Sequence, residues 1–282
     1  MELQGLTFNQ KTREIIAQKI KEQSGIDVHD PKQLAQMTDH VKTWRNNRLN
    51  RARKQSVLHN AGEYINASLY SGNQKLDFIF KNWKPDMQTN RLLAREVGAK
   101  CFNLARKMVD DPCKVLLTGK PGVGKTSLAT AMLNYLCDEG LTVMTVSTLE
   151  LAGLMQQQYE KTDVKDRVEY VTKLMKTVDV LLLDDFATEG GMKNEAKSVR
   201  QDLQELLFSV ANSRINLQKN EVVGSTIITT NSSVSELEMM YNPKLISRLM
   251  PHKPEFIVDF SQLEDMLSLI HISEPTRRTP IS

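Results

Sequence analysis

The 282-residue sequence lacks several features that would each assign it to a special class of protein. No uninterrupted apolar run comes near the roughly 18 residues that a membrane-spanning helix needs. The first residues, MELQGLTFNQKTREIIAQ, do not show the basic-then-apolar pattern of a secretory signal. A net charge of +3 is too small to indicate an oppositely charged partner. These absences predict a soluble globular protein of the cytoplasm with no membrane partner.

Cysteine is also scarce. Cys101, Cys113 and Cys137 are the three in the chain, and no two of them are close in sequence. An odd number without close spacing argues against a disulfide framework and against a zinc site. Because a free cysteine packs as a small hydrophobic side chain, we expect all three to be buried thiols.

Acidic residues are absent from the segment Val41 to Asn60, which is rich in basic ones. The basic residues are Lys42, Arg45, Arg48, Arg51, Arg53 and Lys54. Two interpretations stay open. The segment is either the solvated face of a helix or a surface for nucleic-acid phosphates or an acidic protein.

Apolar spacing and composition divide the chain into four regions. Residues 1–75 read as a small helical unit with a basic far end, and we expect this unit to bind a partner. Residues 76–86 form a linker whose aromatic side chains, Phe78, Phe80 and Trp83, should pack onto the neighbouring domain. Residues 87–267 form the main domain. Residues 268–282, SLIHISEPTRRTPIS, resemble a translated sequencing adapter, so we expect them to be non-native and exclude them from the fold.

Strands and helices alternate through the main domain. Short apolar strands are predicted at KVLLT, TVMTVST, VDVLLLDDF and STIITTN, with helical patterns between them. Such alternation predicts an α/β fold, a parallel sheet covered by helices on both faces.

The segment LLTGKPGVGKTS interrupts this pattern between a predicted strand and a predicted helix. Gly119, Gly124, Lys125 and Thr126 fit the G-x-x-x-x-G-K-[ST] pattern, in which glycines let successive amides wrap a polyphosphate at a helix N-terminus. Lys125 should reach the β- and γ-phosphates of ATP, and the Thr126 hydroxyl should bind Mg²⁺. The predicted nucleotide-binding residues are Gly119, Lys120, Pro121, Gly122, Val123, Gly124, Lys125, Thr126 and Ser127.

Polar side chains end two later strands of the predicted sheet. Asp184 and Asp185 end VDVLLLDD, and Asn231 ends STIITTN. Carboxyl ends of parallel strands meet at one edge, beside the phosphate loop. We therefore expect Asp184 to hold Mg²⁺ and Asp185 to orient or deprotonate the attacking water. Asn231 could hold the γ-phosphate or that water, although asparagine also ends strands as a simple turn residue.

With these elements in this order, the chain resembles the AAA+ P-loop ATPases of the DnaC/DnaI helicase-loader and IstB type. The resemblance covers roughly Leu76 to Phe260 and includes FIFKNW, LLTGKPGVGKTSLA, VDVLLLDDFATE, STIITTN and LISRLM. It implies an N-terminal partner-binding region followed by one AAA+ domain in a bacterial cell. Chromosomal, plasmid and phage origins all stay open.

The resemblance also implies roles for polar side chains outside the phosphate loop. Asn231 resembles the sensor 1 residue, and Arg248 resembles a sensor 2 arginine that contacts the γ-phosphate in its own subunit. Arg214 resembles the arginine finger that is offered to a neighbouring subunit, with Arg200 as the alternative. Each arginine could instead be an ordinary solvated charge on its helix.

Two departures from the family pattern bear on activity. Asp185 stands where many AAA+ proteins have the longer Glu. Loaders of this type often carry the Asp-Asp pair, so we expect Asp185 to be catalytic, and slow turnover would be compatible with it. DnaI-type loaders have a zinc-binding N-terminal region, but no cysteine precedes Cys101 in this sequence, so we expect any N-terminal recognition to be metal-free.

Two functions are implied by the resemblance. The first is an ATP-dependent loader that associates through ATP-bridged subunits and places a DnaB-type replicative helicase on single-stranded DNA. The second is an IstB-like transposition ATPase that acts on duplex DNA.

A small-molecule kinase fits poorly, because YEKTDVKDRVEY lacks the basic character of a kinase lid. A nucleotide-gated binding module with negligible hydrolysis is compatible with Asp185.

Overall fold

The computed structural model describes residues 61–159, 161–190, 198–219 and 221–265. The predicted N-terminal helices, the basic segment before residue 61 and the adapter-like tail lie outside these ranges. Seven strands occur in the described part of the chain. They are β1 (Lys114–Thr118), β2 (Val143–Ser147), β3 (Val180–Phe186), β4 (Ile215–Asn216), β5 (Glu221–Val222), β6 (Ser225–Thr230) and β7 (Ile257–Asp259).

Helices of at least seven residues precede and connect these strands. They are α1 (Arg91–Asp110), α2 (Lys125–Asp138), α3 (Thr148–Gln157), α4 (Thr162–Thr177), α5 (Gln201–Ser213), α6 (Val234–Met240) and α7 (Pro243–Leu249). Residues 61–67 are also helical. Capping side chains set several boundaries: the Asn90 side chain accepts the Leu93 amide at the start of α1, and the Ser147 side chain accepts the Glu150 amide at the start of α3.

Five strands form one parallel sheet in the order β2–β3–β6–β1–β7, and β4 pairs with β5 in a separate antiparallel hairpin. Ile228 of β6 is aligned with Leu116 of β1 on one side and with Leu183 of β3 on the other. The predicted parallel sheet is therefore confirmed. Its carboxyl edge brings together the residues that follow β1, β3 and β6, because all these strands run in the same direction.

The two faces of the sheet are buried under separate apolar cores. Alternate residues of β3 divide between them: Leu181 and Leu183 pack with α3 to α7, whereas Val180 and Leu182 pack with α1 and α2. The leucines among these are fully buried, and burying such a side chain contributes roughly 1.5–3 kcal/mol. The predicted three-layer arrangement is confirmed for the described residues.

The segment before the main domain also contacts the sheet. Leu69 forms a parallel bridge with Val146: its amide donates to the Thr145 carbonyl at 2.9 Å, and its carbonyl accepts the Ser147 amide at 2.7 Å. Residues 61–75 were assigned by sequence to the N-terminal unit, but this contact places at least Leu69 against the free edge of β2, where it covers unpaired backbone groups.

Two of the three linker aromatics, Phe80 and Trp83, pack onto the main domain. The Phe80 and Phe102 rings meet edge to face at 5.2 Å between centroids. The Trp83 indole N–H donates to the Ala94 carbonyl at 2.9 Å. The linker is thereby fixed along α1, close to the beginning of α2.

The cysteine prediction is confirmed at two positions and wrong at the third. Cys101 and Cys113 are buried, and burial raises the pKa of each thiol to about 12. Cys137 is only half-buried because it lies near the end of α2.

Candidate nucleotide-binding site

The loop between β1 and α2 is shaped by three glycines with positive φ angles. Gly119, Gly122 and Gly124 have φ values of 148°, 77° and 93°, which L side chains rarely adopt. There is also too little room for a side chain at two of these positions. A Cβ on Gly119 would lie 2.8 Å from the Phe260 Cβ, and one on Gly124 would lie 2.8 Å from the Trp83 ring. Glycine is therefore required here by both backbone conformation and packing.

The Lys125 ammonium lies within this loop. It donates to the carbonyl oxygens of Gly119 at 2.9 Å and Lys120 at 2.7 Å, and to the Asn231 Oδ1 at 2.7 Å. The residue is 5% exposed, and burial lowers the pKa of its ammonium to about 8, although the charges of Asp185 and Asp184 oppose this shift. Lys125 therefore joins the phosphate loop to the end of β6, where Asn231 lies.

Thr126 and Asp184, the two predicted Mg²⁺ ligands, are in direct contact. The Thr126 hydroxyl donates to the Asp184 Oδ1 at 2.9 Å. The same oxygen accepts the Thr229 hydroxyl of β6 at 2.6 Å, and Asp184 is only 3% exposed. Thr229 was not predicted as a site residue. Its sequence signal is a hydroxyl two positions before Asn231, near the end of a strand of otherwise buried residues.

Asp185 lies where β3 departs from regular strand geometry. The β3–β6 register shifts between Leu183 and Phe186, and Asp185 has φ 52°, a left-handed conformation. Its amide donates to the Thr229 Oγ1 at 2.9 Å. Burial and the charge of Asp184 raise the pKa of the Asp185 carboxyl, while Lys125 lowers it. The bulge separates the two carboxylates, so the Asp184 carboxylate contacts Thr126 while the Asp185 backbone is bound to β6.

Arg214 is placed where it cannot serve as an arginine finger, and this prediction is corrected. Its side chain is 3% exposed and its five N–H groups all have acceptors. The acceptors are the Thr226 hydroxyl at 3.2 Å and the carbonyls of Met175 (2.9 Å), Val178 (2.8 Å), Asp179 (3.2 Å) and Ser225 (2.5 Å). A guanidinium held in this way has no donor left for a phosphate of another subunit.

Arg248 lies on α7, and its backbone carbonyl accepts the Lys114 ammonium. Lys114 is the first residue of β1, whereas the phosphate loop follows the last one, about 13 Å further along at ~3.3 Å per residue. This geometry argues against contact with the γ-phosphate in the same subunit. The Arg248 side chain is half-buried, and Arg200 is exposed and paired with Asp202 at 2.5 Å.

The parallel sheet and the glycine loop together define a P-loop nucleotide-binding domain. The family model for the IstB-like ATP binding protein matches residues 93–251, more than half of the chain. The chain belongs to this family, and ATP binding is the function that the family carries.

Individual relatives are distant. The Replicative helicase loader DnaC of Escherichia coli (strain K12) is 22% identical over 134 residues, 48% of this chain and 49% of its own length. An ATP-binding protein of the insertion sequence IS1162 from Pseudomonas fluorescens is 30% identical over 112 residues, 40% of this chain and 45% of its own. The chain thus spans less than half the length of these relatives.

Among solved structures, the crystal structure of the DnaC helicase loader is similar with a TM-score of 0.46. That match is 22% identical and covers 64% of this chain and 97% of the other. Within the described residues, no helix is long and apolar enough to span a membrane.

Proposed function

We propose that the chain binds MgATP at the loop between β1 and α2 and hydrolyses it slowly. The observation that carries this proposal is the position of Lys125, whose ammonium lies within 2.9 Å of two loop carbonyls and of Asn231. Phosphate oxygens are stronger acceptors than these neutral oxygens, so the ammonium can exchange them for a bound phosphate. Left-handed glycines and the N-terminus of α2 provide the remaining anion-binding groups.

The residues present also fit Mg²⁺. Thr126 and Asp184 offer one hydroxyl and one carboxylate oxygen 2.9 Å apart, and Mg²⁺ is commonly held by one or two carboxylates together with phosphates and water. A bound Mg²⁺ would neutralise the charge of the phosphates. Thr229 donates to the same Asp184 oxygen as Thr126 does, so this carboxylate is held in one orientation.

Asp185 and Asn231 supply the remaining chemistry in this proposal. The Asp185 carboxylate accepts the proton of the attacking water, and its raised pKa makes it a better base than an exposed aspartate. Asn231 orients the water or the γ-phosphate while its Oδ1 stays close to Lys125. Because Arg214 is buried, the arginine that we propose to act between subunits is Arg200, the alternative candidate.

The wider role that we propose is loading of a DnaB-type replicative helicase onto single-stranded DNA, with subunits joined through bound ATP. The relative named as a replicative helicase loader supports this role. Membership of the IstB-like family and the insertion-sequence relative favour the second candidate, a transposition ATPase on duplex DNA.

Calorimetry with MgADP tests the nucleotide site. Lys125→Ala should abolish detectable binding, whereas Lys173→Ala, which removes an exposed lysine from α4, should bind normally. Asp185→Asn should bind ATP with near-normal affinity but lose about 10²–10⁴-fold in hydrolysis, as expected for a general base. Normal MgADP affinity of the Lys125 variant would exclude the site.

A pull-down with purified replicative helicase separates the two wider roles. Retention of the helicase in the presence of ATP, and its loss in Lys125→Ala, is expected for a loader. Failure to retain helicase combined with ATP-dependent assembly on duplex DNA would favour the transposition role. Contact of the basic segment with a nucleic-acid backbone should weaken steeply as salt is raised.

A further inference from the structure

The Glu189 carboxylate joins two elements that flank the candidate site. Its Oε2 accepts the hydroxyl of Thr148, the first residue of α3, at 2.6 Å. Its Oε1 accepts the hydroxyl of Tyr241, which lies between α6 and α7. Glu189 itself follows the end of β3 by three residues. One carboxylate therefore connects β3 to the helix after β2 and to the helices after β6.

Both hydroxyl groups belong to buried side chains. Thr148 is fully buried and Tyr241 is 3% exposed. Burial, followed by the charge of Glu189 and the hydrogen bond to it, raises the pKa of the Tyr241 phenol, so this group remains a donor. Hydrogen bonds from buried hydroxyls to a carboxylate are short and strong, and leaving such groups unpaired is unfavourable.

The backbone between Asp185 and Glu189 requires such support. Asp185 and Ala187 both have left-handed conformations, with φ 52° and 78°, and neither is glycine. Such conformations persist only where the surroundings hold them. Phe186, between them, stacks on the Tyr241 ring at 4.7 Å and 12°. The Thr148 hydroxyl also lies 3.3 Å from the Asp185 carbonyl oxygen.

We propose that Glu189 is a positioning residue for ATP hydrolysis: through Thr148 and Tyr241 it fixes the left-handed turn that presents the Asp185 carboxylate to the phosphate loop. This inference rests on the proposed function. Through Tyr241 the same carboxylate also fixes the start of α7, the helix that carries Arg248. Glu189 contacts hydroxyls of the scaffold, so it acts through Asp185 and is not itself a catalytic residue.

Three substitutions separate a positioning role of Glu189 from a catalytic role. Glu189→Ala removes both acceptor oxygens. Glu189→Gln keeps the shape, because its amide oxygen can accept one hydroxyl while its amide nitrogen donates to the other. Tyr241→Phe removes one hydroxyl but keeps the ring stacked on Phe186, which protects against loss of folding. Glu169→Ala, at an exposed position on α4, is the matched control.

Steady-state kinetics and MgADP calorimetry give the first readout. Glu189→Ala should lower kcat by ~10–100-fold with KM and MgADP affinity nearly unchanged, since a misplacement of about 1 Å can cost that much. Tyr241→Phe should lower kcat less, and Glu189→Gln should keep most of it. Loss in Glu189→Gln equal to that in Glu189→Ala would overturn the proposal, because the carboxylate would then take part in the chemistry. Parallel loss of MgADP affinity would also overturn it.

Amide hydrogen exchange without nucleotide gives the second readout. Glu189→Ala should accelerate exchange in the peptide that contains Asp185 and Ala187, while Glu189→Gln and Glu169→Ala should not. Unchanged protection in Glu189→Ala would contradict the proposal whether or not the protein hydrolyses ATP. If the wild-type protein neither binds nor hydrolyses ATP, the proposed function fails, and the exchange result still decides whether Glu189 holds the turn.

Discussion

The carboxyl edge of the sheet, where the parallel strands end, and the amino edge, where they begin, each contain a buried cation. The two cations differ in whether they can still bind an anion. At the carboxyl edge, Lys125 donates to two loop carbonyls and to Asn231. At the amino edge, Arg214 donates to four carbonyls and one hydroxyl around the beginnings of β3 and β6. Both are more than nine-tenths buried, so burial alone does not distinguish a binding residue from a structural one.

The surroundings of the two cations make the distinction. Lys125 lies beside two carboxylates, a helix N-terminus and a loop whose glycines leave amides available, so an anion can enter and take over its donors. The acceptors of Arg214 lie in three segments, the end of α4, the connection from α4 to β3, and the beginning of β6, and none of them can leave without local unfolding. The carboxyl edge is therefore suited to exchange ligands, and the amino edge is suited to hold the sheet together.

Replacing Arg214 should produce the largest loss of stability. Arg214→Ala should lower the free energy of unfolding by about 3–5 kcal/mol, because four buried carbonyls and a hydroxyl lose their donors together. Urea unfolding measures this loss. Arg200→Ala, at an exposed helix start, should change stability by less than about 0.5 kcal/mol. Normal stability of Arg214→Ala together with lost hydrolysis would restore the arginine-finger interpretation.

Two glycines, Gly124 at the carboxyl edge and Gly224 at the amino edge, provide a second test, for which we expect smaller changes in the free energy of unfolding. A Cβ on Gly124 would meet the Trp83 ring at 2.8 Å, and one on Gly224 would meet the Arg214 guanidinium at 2.9 Å. Gly224→Ala should lower stability by about 1–3 kcal/mol, as overpacking does, and leave the MgADP affinity of the folded protein unchanged.

Gly124→Ala should instead weaken MgADP binding, because φ 93° at this position shapes the phosphate loop. Calorimetry and urea unfolding on both variants provide the test. If Gly224→Ala weakened MgADP binding as much as Gly124→Ala, the two edges of the sheet would not be independent.

The sequence predicted the positions of residues at the carboxyl edge of the sheet better than those at the amino edge. The loop, the acidic pair and Asn231 each follow an apolar strand, and parallel pairing brings such positions to one edge whatever the details of packing. Sequence therefore predicted which of these residues lie together. It also predicted both helical layers, because apolar periodicity is a local property.

The destinations of the arginines could not be predicted in this way. Arg214 contacts residues 35 to 39 positions earlier in the chain, and nothing in ANSRIN distinguishes it from a solvated charge. The β4–β5 hairpin and β7 have only two or three residues per strand, too few for a periodic pattern. The backbone of Asp185 contacts Thr229 and Thr148, and its neighbour Phe186 stacks on Tyr241; all three partners are distant in sequence.

The smallest effect that we expect concerns Lys114 and the dependence of the free energy of unfolding on pH. Burial, and secondly the charge of Arg248, lowers the pKa of its ammonium from 10.5 to about 8. Between pH 8 and 10.5 the unfolded chain holds more protons at this residue than the folded protein does, so stability should rise with pH across that window. Below pH 8 both states are protonated and this contribution is constant.

Lys114→Met should remove part of that rise, which urea unfolding at pH 7.5, 8.5 and 9.5 can measure. Lys125, whose pKa is also lowered to about 8, should contribute a similar part that Lys125→Ala removes. Saturating MgADP separates the two edges. It should reduce the contribution of Lys125, because bound phosphate favours the charged ammonium, and leave that of Lys114 unchanged. If MgADP altered both contributions equally, the amino edge would respond to nucleotide, and the contrast between Lys125 and the residues around Arg214 would not hold.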